Sequence, residues 1–144
     1  MIDESKLESR VLHLVRPEDL NHHGTLFAGQ MAKWCIEAGL MAVARLIGKP
    51  EDVVCVKFDR MIFKKPVRNG ELIEIKTRIS QVGVSSITVF NEVFRAGDEV
   101  PIITNSATYV TVDEHNKPYP HNLKLPPHYV EKNRDICVQV SKGD

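Results

Sequence analysis

Residues 27–48 read FAGQMAKWCIEAGLMAVARLIG, and their spacing decides the fold. Met31, Trp34, Cys35, Ala38, Met41, Ala42 and Leu46 recur at intervals of three and four, which lays one apolar stripe along a helix beginning near Ala28. Gly48 and Pro50 end it, because glycine accepts the left-handed turn that closes a helix and proline cannot extend one. Leu40, Val43 and Ala44 add apolar side chains on the other faces, so the helix reads as central and covered.

On both sides of this helix the period shortens to that of strands. VLHLVR, residues 11–16, sets Val11 and Val15 with Leu12 and Leu14 around His13 before Pro17 stops the run. Further strands are predicted over Val53 to Phe63, Glu71 to Ser80, Ser85 to Arg95 and Ile102 to Val112. Turn signals at Asn69-Gly70, Gly83, Gly97-Asp98 and Asp113 to Asn116 separate them. Ile73, Ile75, Thr77 and Ile79 share one face of their strand and Glu74, Lys76 and Arg78 the other, so one side of the sheet is buried and the other largely wet. A β-α-β-β-β-β order with one apolar helix predicts an α+β fold, a curled antiparallel sheet wrapped around that helix. Its outer face and edges are left for a partner subunit. The core spans about residues 10–116. Residues 117–144 carry Pro118, Pro120, Pro126 and Pro127 and predict an irregular strap with one short helix near His128 to Asn133.

A chain of 144 residues, 42% of them hydrophobic, supports one compact domain covering residues 1–144. Basic and acidic residues balance at 19 each, so the net charge draws the chain to neither nucleic acid nor an anionic membrane. MIDESKLESR at the start lacks an apolar signal segment, and no later run reaches the roughly 20 apolar residues of a membrane span, which predicts a cytoplasmic protein. Cys35, Cys55 and Cys137 form no CxxC pair and read as reduced thiols, with Cys35 and Cys55 as buried packing residues. His22 and His23 are adjacent in a loop and lack the further ligands of a zinc site.

RPEDLNHHG (residues 16–24), TLFAGQM (25–31), FKKPVRNGE (63–71), VGVSSI (82–87) and ATYVTVD (107–113), in this order, resemble segments of the hotdog thioesterases of the YciA-type bacterial and brain-type acyl-CoA hydrolase family. The resemblance runs from about Val11 to Pro118. It implies a single hotdog domain, hydrolysis of acyl-CoA to a carboxylic acid and CoA, no cofactor beyond the substrate's own CoA, and sites built between two protomers of a homodimer or a trimer of dimers. Ala28 stands where the family carries the first of two glycines, and Val84 where many relatives carry arginine. Ile36 takes the position of the usual helix acid, with Glu37 one residue later, and one residue turns a helix by about 100°.

The residues offer the parts that thioester hydrolysis needs. Backbone N–H groups where the chain enters the helix at Phe27, Ala28 and Gly29 form an oxyanion hole at the positive end of the dipole. Asn21 presents donor and acceptor on a short arm, either to the thioester and its water or to an Asx turn before Gly24. Glu37 is a general base or the nucleophile, or a surface acid paired with Lys33 one turn away. Thr25 donates at the start of the helix or caps it. Lys64, Lys65 and Arg68 suit the phosphates of CoA or a solvated turn, and Ser85 and Ser86 suit the nucleotide or pantetheine or a plain strand start. The competing readings are a dehydratase or hydratase of hydroxyacyl thioesters, pairing His22 or His23 with Glu37, and a non-catalytic acyl-CoA-binding module.

Overall fold

A computed structural model describes residues 2–134. Strand β1 (Glu8–Leu14) precedes helix α1 (Ala28–Ile47), after which β2 (Val53–Phe63), β3 (Leu72–Val82), β4 (Ser86–Arg95) and β5 (Ile103–Thr111) follow in turn. A short α2 (Pro127–Lys132) closes the described chain. The five strands form one antiparallel sheet in the order β1-β3-β4-β5-β2, so β1 and β2 are its edges. Strand β1 starts earlier than the apolar pattern implies. Glu8, Ser9 and Arg10 pair in register with Arg78, Thr77 and Lys76, and an Arg10–Glu74 ion pair at 2.7 Å supports an extension that hydrophobic periodicity cannot reveal.

The concave face of the sheet holds Ile73, Ile75, Thr77 and Ile79, all buried. The opposite face is half-buried rather than wet. Glu74, Lys76 and Arg78 are each half-buried there, and Arg78 reaches Glu92 of β4 at 3.5 Å. Helix α1 turns Met31, Trp34, Cys35, Ala38, Gly39, Ala42 and Val43 into the concave face. Contrary to the all-round covering expected, Lys33, Glu37, Met41 and Arg45 remain exposed, Met41 by 53%. A single sheet wraps only one side of a helix, and Met41 lies about 100° from its neighbour Ala42, which points inward. Gly48 closes the helix in the left-handed conformation, φ 82°, with its N–H bonded to the Ala44 carbonyl.

Cys35 is fully buried, and burial pushes its thiol up to about 12. It should therefore resist iodoacetamide at neutral pH in the folded protein and react only on unfolding, which mass-spectrometric mapping of the alkylated site would read. Cys55, expected inside, is exposed on edge strand β2, where the register with β5 shifts between Cys55 and Lys57. Cys137 lies outside the described residues.

Tyr109 of β5 donates a hydrogen bond to the Ile36 carbonyl at 2.6 Å, and a Cβ built on Gly39 would stand 2.4 Å from the same hydroxyl. Glycine at 39 is thus the condition for this contact. Tyr109 is fully buried and has nowhere to move. Gly39→Ala should consequently destabilise by ~1–3 kcal/mol in a denaturant melt, outweighing alanine's better helix propensity of up to ~1 kcal/mol.

Among the described residues no helix is long and apolar enough to cross a membrane.

Candidate functional site

The loop before α1 is a small folded unit. Leu20 and Leu26 bridge each other, the Asn21 N–H donates to the Thr25 carbonyl at 2.7 Å, and Gly24 takes φ 77° to make the reversal. Asn21 organises its interior. Its Oδ1 accepts from the backbone N–H groups of His23 at 2.8 Å and Thr25 at 3.2 Å, while its Nδ2 donates to the Thr25 hydroxyl at 3.0 Å. The Asx turn is real, and it uses the amide oxygen. One of the two Nδ2 hydrogens remains for another acceptor, so Asn21 can act on a ligand as a donor.

Asp19 anchors this loop to α1. Its carboxylate accepts from the Arg16 N–H and the Gln30 side chain, and its carbonyl accepts from the Phe27 N–H. Periodicity and motif spacing alone assign Asp19 no task. The signal was present: an acid two residues after Pro17, reaching back to Arg16, is the pattern of a small N-terminal cap. No side chain caps the start of α1 at Phe27. The N–H groups of Ala28 and Gly29 thus face outward at the positive end of the helix dipole. Gly29 lies under the exposed ring of Phe27, where a Cβ would come within 2.4 Å of the ring edge.

Two contacts bring a distant segment to this loop. Thr25 bridges Arg68, and the Leu26 N–H donates to the Val67 carbonyl at 2.7 Å. The result is an open cleft of about 360 Å³ walled by Asn21, Thr25, Ala28, Phe63, Lys64 and Lys65. Glu71 and Arg95 hold the basic segment in place. Arg95 donates to Glu71 at 2.5 Å and to the Pro66 carbonyl at 2.7 Å, and Glu71 accepts the Arg68 N–H at 2.8 Å.

Half of the residues singled out in the sequence therefore converge: Asn21, Thr25, Ala28, Lys64 and Lys65 share the cleft, with Gly29 and Arg68 beside it. Ser85 and Ser86 do not. Ser85 ends the β3–β4 turn and Ser86 opens β4, where Ser85 accepts from Thr111 and Ser86 accepts from Gly83. Ser86 pairs with Val110, and the cleft residue Phe63 with Ile103, so the two lie roughly 23 Å apart along β5 at the ordinary strand rise. Glu37 is also outside the cleft, roughly 13 Å further along the helix axis than Ala28. Its side chain is 50% exposed and 4.0 Å from Lys33. It occupies the β1 side of the helix, next to Trp34 and His13, whose rings stack at 4.3 Å. Burial lowers the His13 pKa, and the nearby carboxylates of Glu37 and Asp19 oppose that shift. Periodicity alone placed His13 in a strand and gave no hint of this stack. His22 and His23 are exposed, and among the described residues no cluster of three His, Cys, Asp or Glu is placed to hold a metal ion.

Comparison with known proteins gives consistent results. The family model described as Thioesterase superfamily matches residues 23–102. The chain is similar to the uncharacterized acyl-CoA thioester hydrolase YkhA of Bacillus subtilis, 29% identical over 119 residues, covering 78% of this chain and 68% of that protein. It is 28% identical to the cytosolic acyl coenzyme A thioester hydrolase of Rattus norvegicus over 88% of its own length, and it spans about a third (34%) of that relative. The hexameric thioesterase y2039 of Yersinia pestis superposes with a TM-score of 0.71 at 29% identity, covering 81% of this chain and 94% of that one. The five-stranded antiparallel sheet curled around one long helix is thus the hotdog fold.

Proposed function

The chain belongs to the thioesterase superfamily, and from that premise we propose that it is an acyl-CoA hydrolase whose reaction takes place in the cleft at the start of α1. The observation that carries this reading is the convergence of three chemistries at one point. The outward N–H group of Ala28, with that of Gly29 next to it, the remaining Nδ2 hydrogen of Asn21 and the cationic pair Lys64 and Lys65 meet at the same cleft.

Their division of labour follows from the reaction. The thioester carbonyl oxygen lies against the helix N–H groups, which stabilise the negative charge that builds up on it as water attacks the carbonyl carbon. Asn21 donates to the thioester and Thr25 holds Asn21. Collapse of the tetrahedral intermediate breaks the C–S bond and releases CoA, whose phosphates meet Lys64, Lys65 and Arg68. Glu37, supplied by a neighbouring protomer, takes the proton of the attacking water, while Ser85 and Ser86 of a neighbouring protomer border the nucleotide or pantetheine. Within one protomer neither Glu37 nor the serines reach the cleft, so the working unit is a homo-oligomer. Edge strand β2 exposes Val54, Val56, Ile62 and Phe63, which suits pairing with a second copy in a dimer, three of which form a trimer of dimers. No metal or organic cofactor enters these steps, and the protein works in the cytoplasm.

A panel of acyl-CoA substrates tests the reading, assayed for thiol release and, with enoyl-CoA, for hydration. Thiol release that survives a chelator is expected. Hydration without thiol release would instead make the chain a hydratase, and binding without turnover would make it a binding module. The Glu71 clamp gives a separate expectation. Glu71→Ala frees the basic segment, and loss of a charge-assisted bond worth ~1.5–3 kcal/mol should raise KM about tenfold or more with a smaller change in kcat, because phosphate contacts are made equally in ground and transition states.

A further inference from the structure

Beneath α1 the concave face carries a row of polar side chains that the proposed hydrolysis does not use. Thr77, Asn91 and Asn105 stand in register across β3, β4 and β5, and all three are buried. The first two are satisfied. The Thr77 hydroxyl donates to Asn91 Oδ1 at 2.7 Å, and Asn91 Nδ2 donates to the Cys35 carbonyl of α1 at 3.2 Å. Asn105 is 3% exposed, and neither its amide oxygen nor its amide nitrogen has a hydrogen-bond partner among the described residues. A buried amide in that state costs stability until something pairs with it.

The strand opposite is built around this residue. Asp59 pairs with Ser106 and Ile62 with Thr104, so β2 places two residues, Arg60 and Met61, against Asn105 alone. Arg60 adopts φ 48°, a left-handed conformation unusual for arginine, at this bulge. Met61 packs against the apolar cluster of Met31, Cys35 and Ile103. Inward-facing residues on β2 run from Phe63, a wall of the cleft, to Met61. On β5 they run from Ile103, the partner of Phe63, to Asn105, a step of about 7 Å. A methionine side chain is unbranched and flexible, which makes it a stopper that a ligand can displace.

We infer that Asn105 is a specificity-determining residue for the acyl group, recognising a neutral oxygen, a hydroxyl above all, carried by the chain roughly 10 Å from the thioester carbonyl. This rests on the reading of the cleft as the thioester site. The distance is that from Ala28 to Cys35 along the helix, the level at which the polar row lies. The chain passes Phe63, displaces Met61 and brings its hydroxyl to an amide that offers one donor and one acceptor. A carboxylate at that depth would be buried without a counter-charge, so the preferred group is uncharged.

The test compares octanoyl-CoA, its terminally hydroxylated analogue and the analogue hydroxylated beside the carbonyl, using the full chain and thiol release. The terminal hydroxyl should raise kcat/KM at least about tenfold over octanoyl-CoA, since a site built to pair a hydroxyl discriminates strongly against its absence. The hydroxyl beside the carbonyl should give no such gain. Asn105→Val, which removes an unpaired polar group and should melt no lower than the wild type, abolishes that ratio. Met61→Trp, a bulkier stopper, lowers turnover of octanoyl-CoA relative to acetyl-CoA and supplies a second readout that does not alter Asn105. Wild-type ratios of one or less, or a ratio that persists in Asn105→Val, overturn the inference while leaving the thioesterase intact. The first of these means that the amide holds only a buried water. Failure to cleave any of the thioesters would overturn the cleft reading and this inference with it.

Discussion

Glu37→Gln should lower kcat for acyl-CoA hydrolysis by ~10²- to 10⁴-fold with little change in KM, the range expected when a general base is lost from the transition state. Glu37 is the only carboxylate of α1, and half of its side chain is open to solvent in the single protomer. At roughly 13 Å beyond Ala28 along the axis it does not reach the cleft of its own chain, so the proposed role calls for a second copy. Asn21→Ala should cost ~10²- to 10³-fold, the scale for one donor to a developing oxyanion. Because Asn21 also holds the turn through His23 and Thr25, Asn21→Asp is the cleaner variant. It keeps the acceptor and loses the donor. Mixing Asn21→Ala with Glu37→Gln should restore about a quarter of wild-type activity. Random exchange makes half the dimers mixed, and each mixed dimer holds one intact site out of two. Near wild-type turnover by Glu37→Gln would leave Glu37 as a surface acid paired with Lys33 and require another base.

The second large effect concerns assembly. Val56→Lys on the exposed edge of β2 should convert the protein to monomers in light scattering at micromolar concentration, since an isologous interface presents the two introduced charges to one another. Hydrolysis should fall with it by ~10²-fold or more, because in the proposed mechanism each site loses the base supplied by its neighbour. A dimer that survives the substitution would turn attention to β1, where Leu12 and Leu14 are exposed, as the paired edge.

How far the sequence reached depended on the range of the forces involved. Helix α1 was legible to within a residue because its determinants are local: a repeat of three and four, then Gly48 and Pro50. Strands β2 to β5 were found within two residues at each end for the same reason, alternation closed by turn residues. The start of β1 was missed because Glu8, Ser9 and Arg10 are held by cross-strand pairs rather than by an apolar face. Burial was read less well. Met41 and Cys55 are apolar in type, yet one faces away from the sheet and the other lies on its edge, and composition carries neither fact. Asn105 was not singled out in the sequence, since that its amide would find no partner depends on what β2 and β4 place beside it.

For the site, the sequence by itself determined which residue types were present and which family their order resembles: the Asn21 turn, the glycine where α1 begins, the Lys64–Lys65 pair and the displaced acid. It left Asn21 between a structural turn and a ligand contact, and Glu37 between a base and a surface charge. Tertiary structure decided which of them meet. Lys64 and Lys65 join Asn21 across more than forty residues only because Leu26 and Thr25 pair with Val67 and Arg68, while Ser85 and Glu37 are carried away from the cleft by the length of a strand and the turn of a helix. Secondary structure is written in short-range periodicity, but a catalytic site is a set of distances between segments far apart in the chain, and those are fixed by the packing of the sheet against the helix.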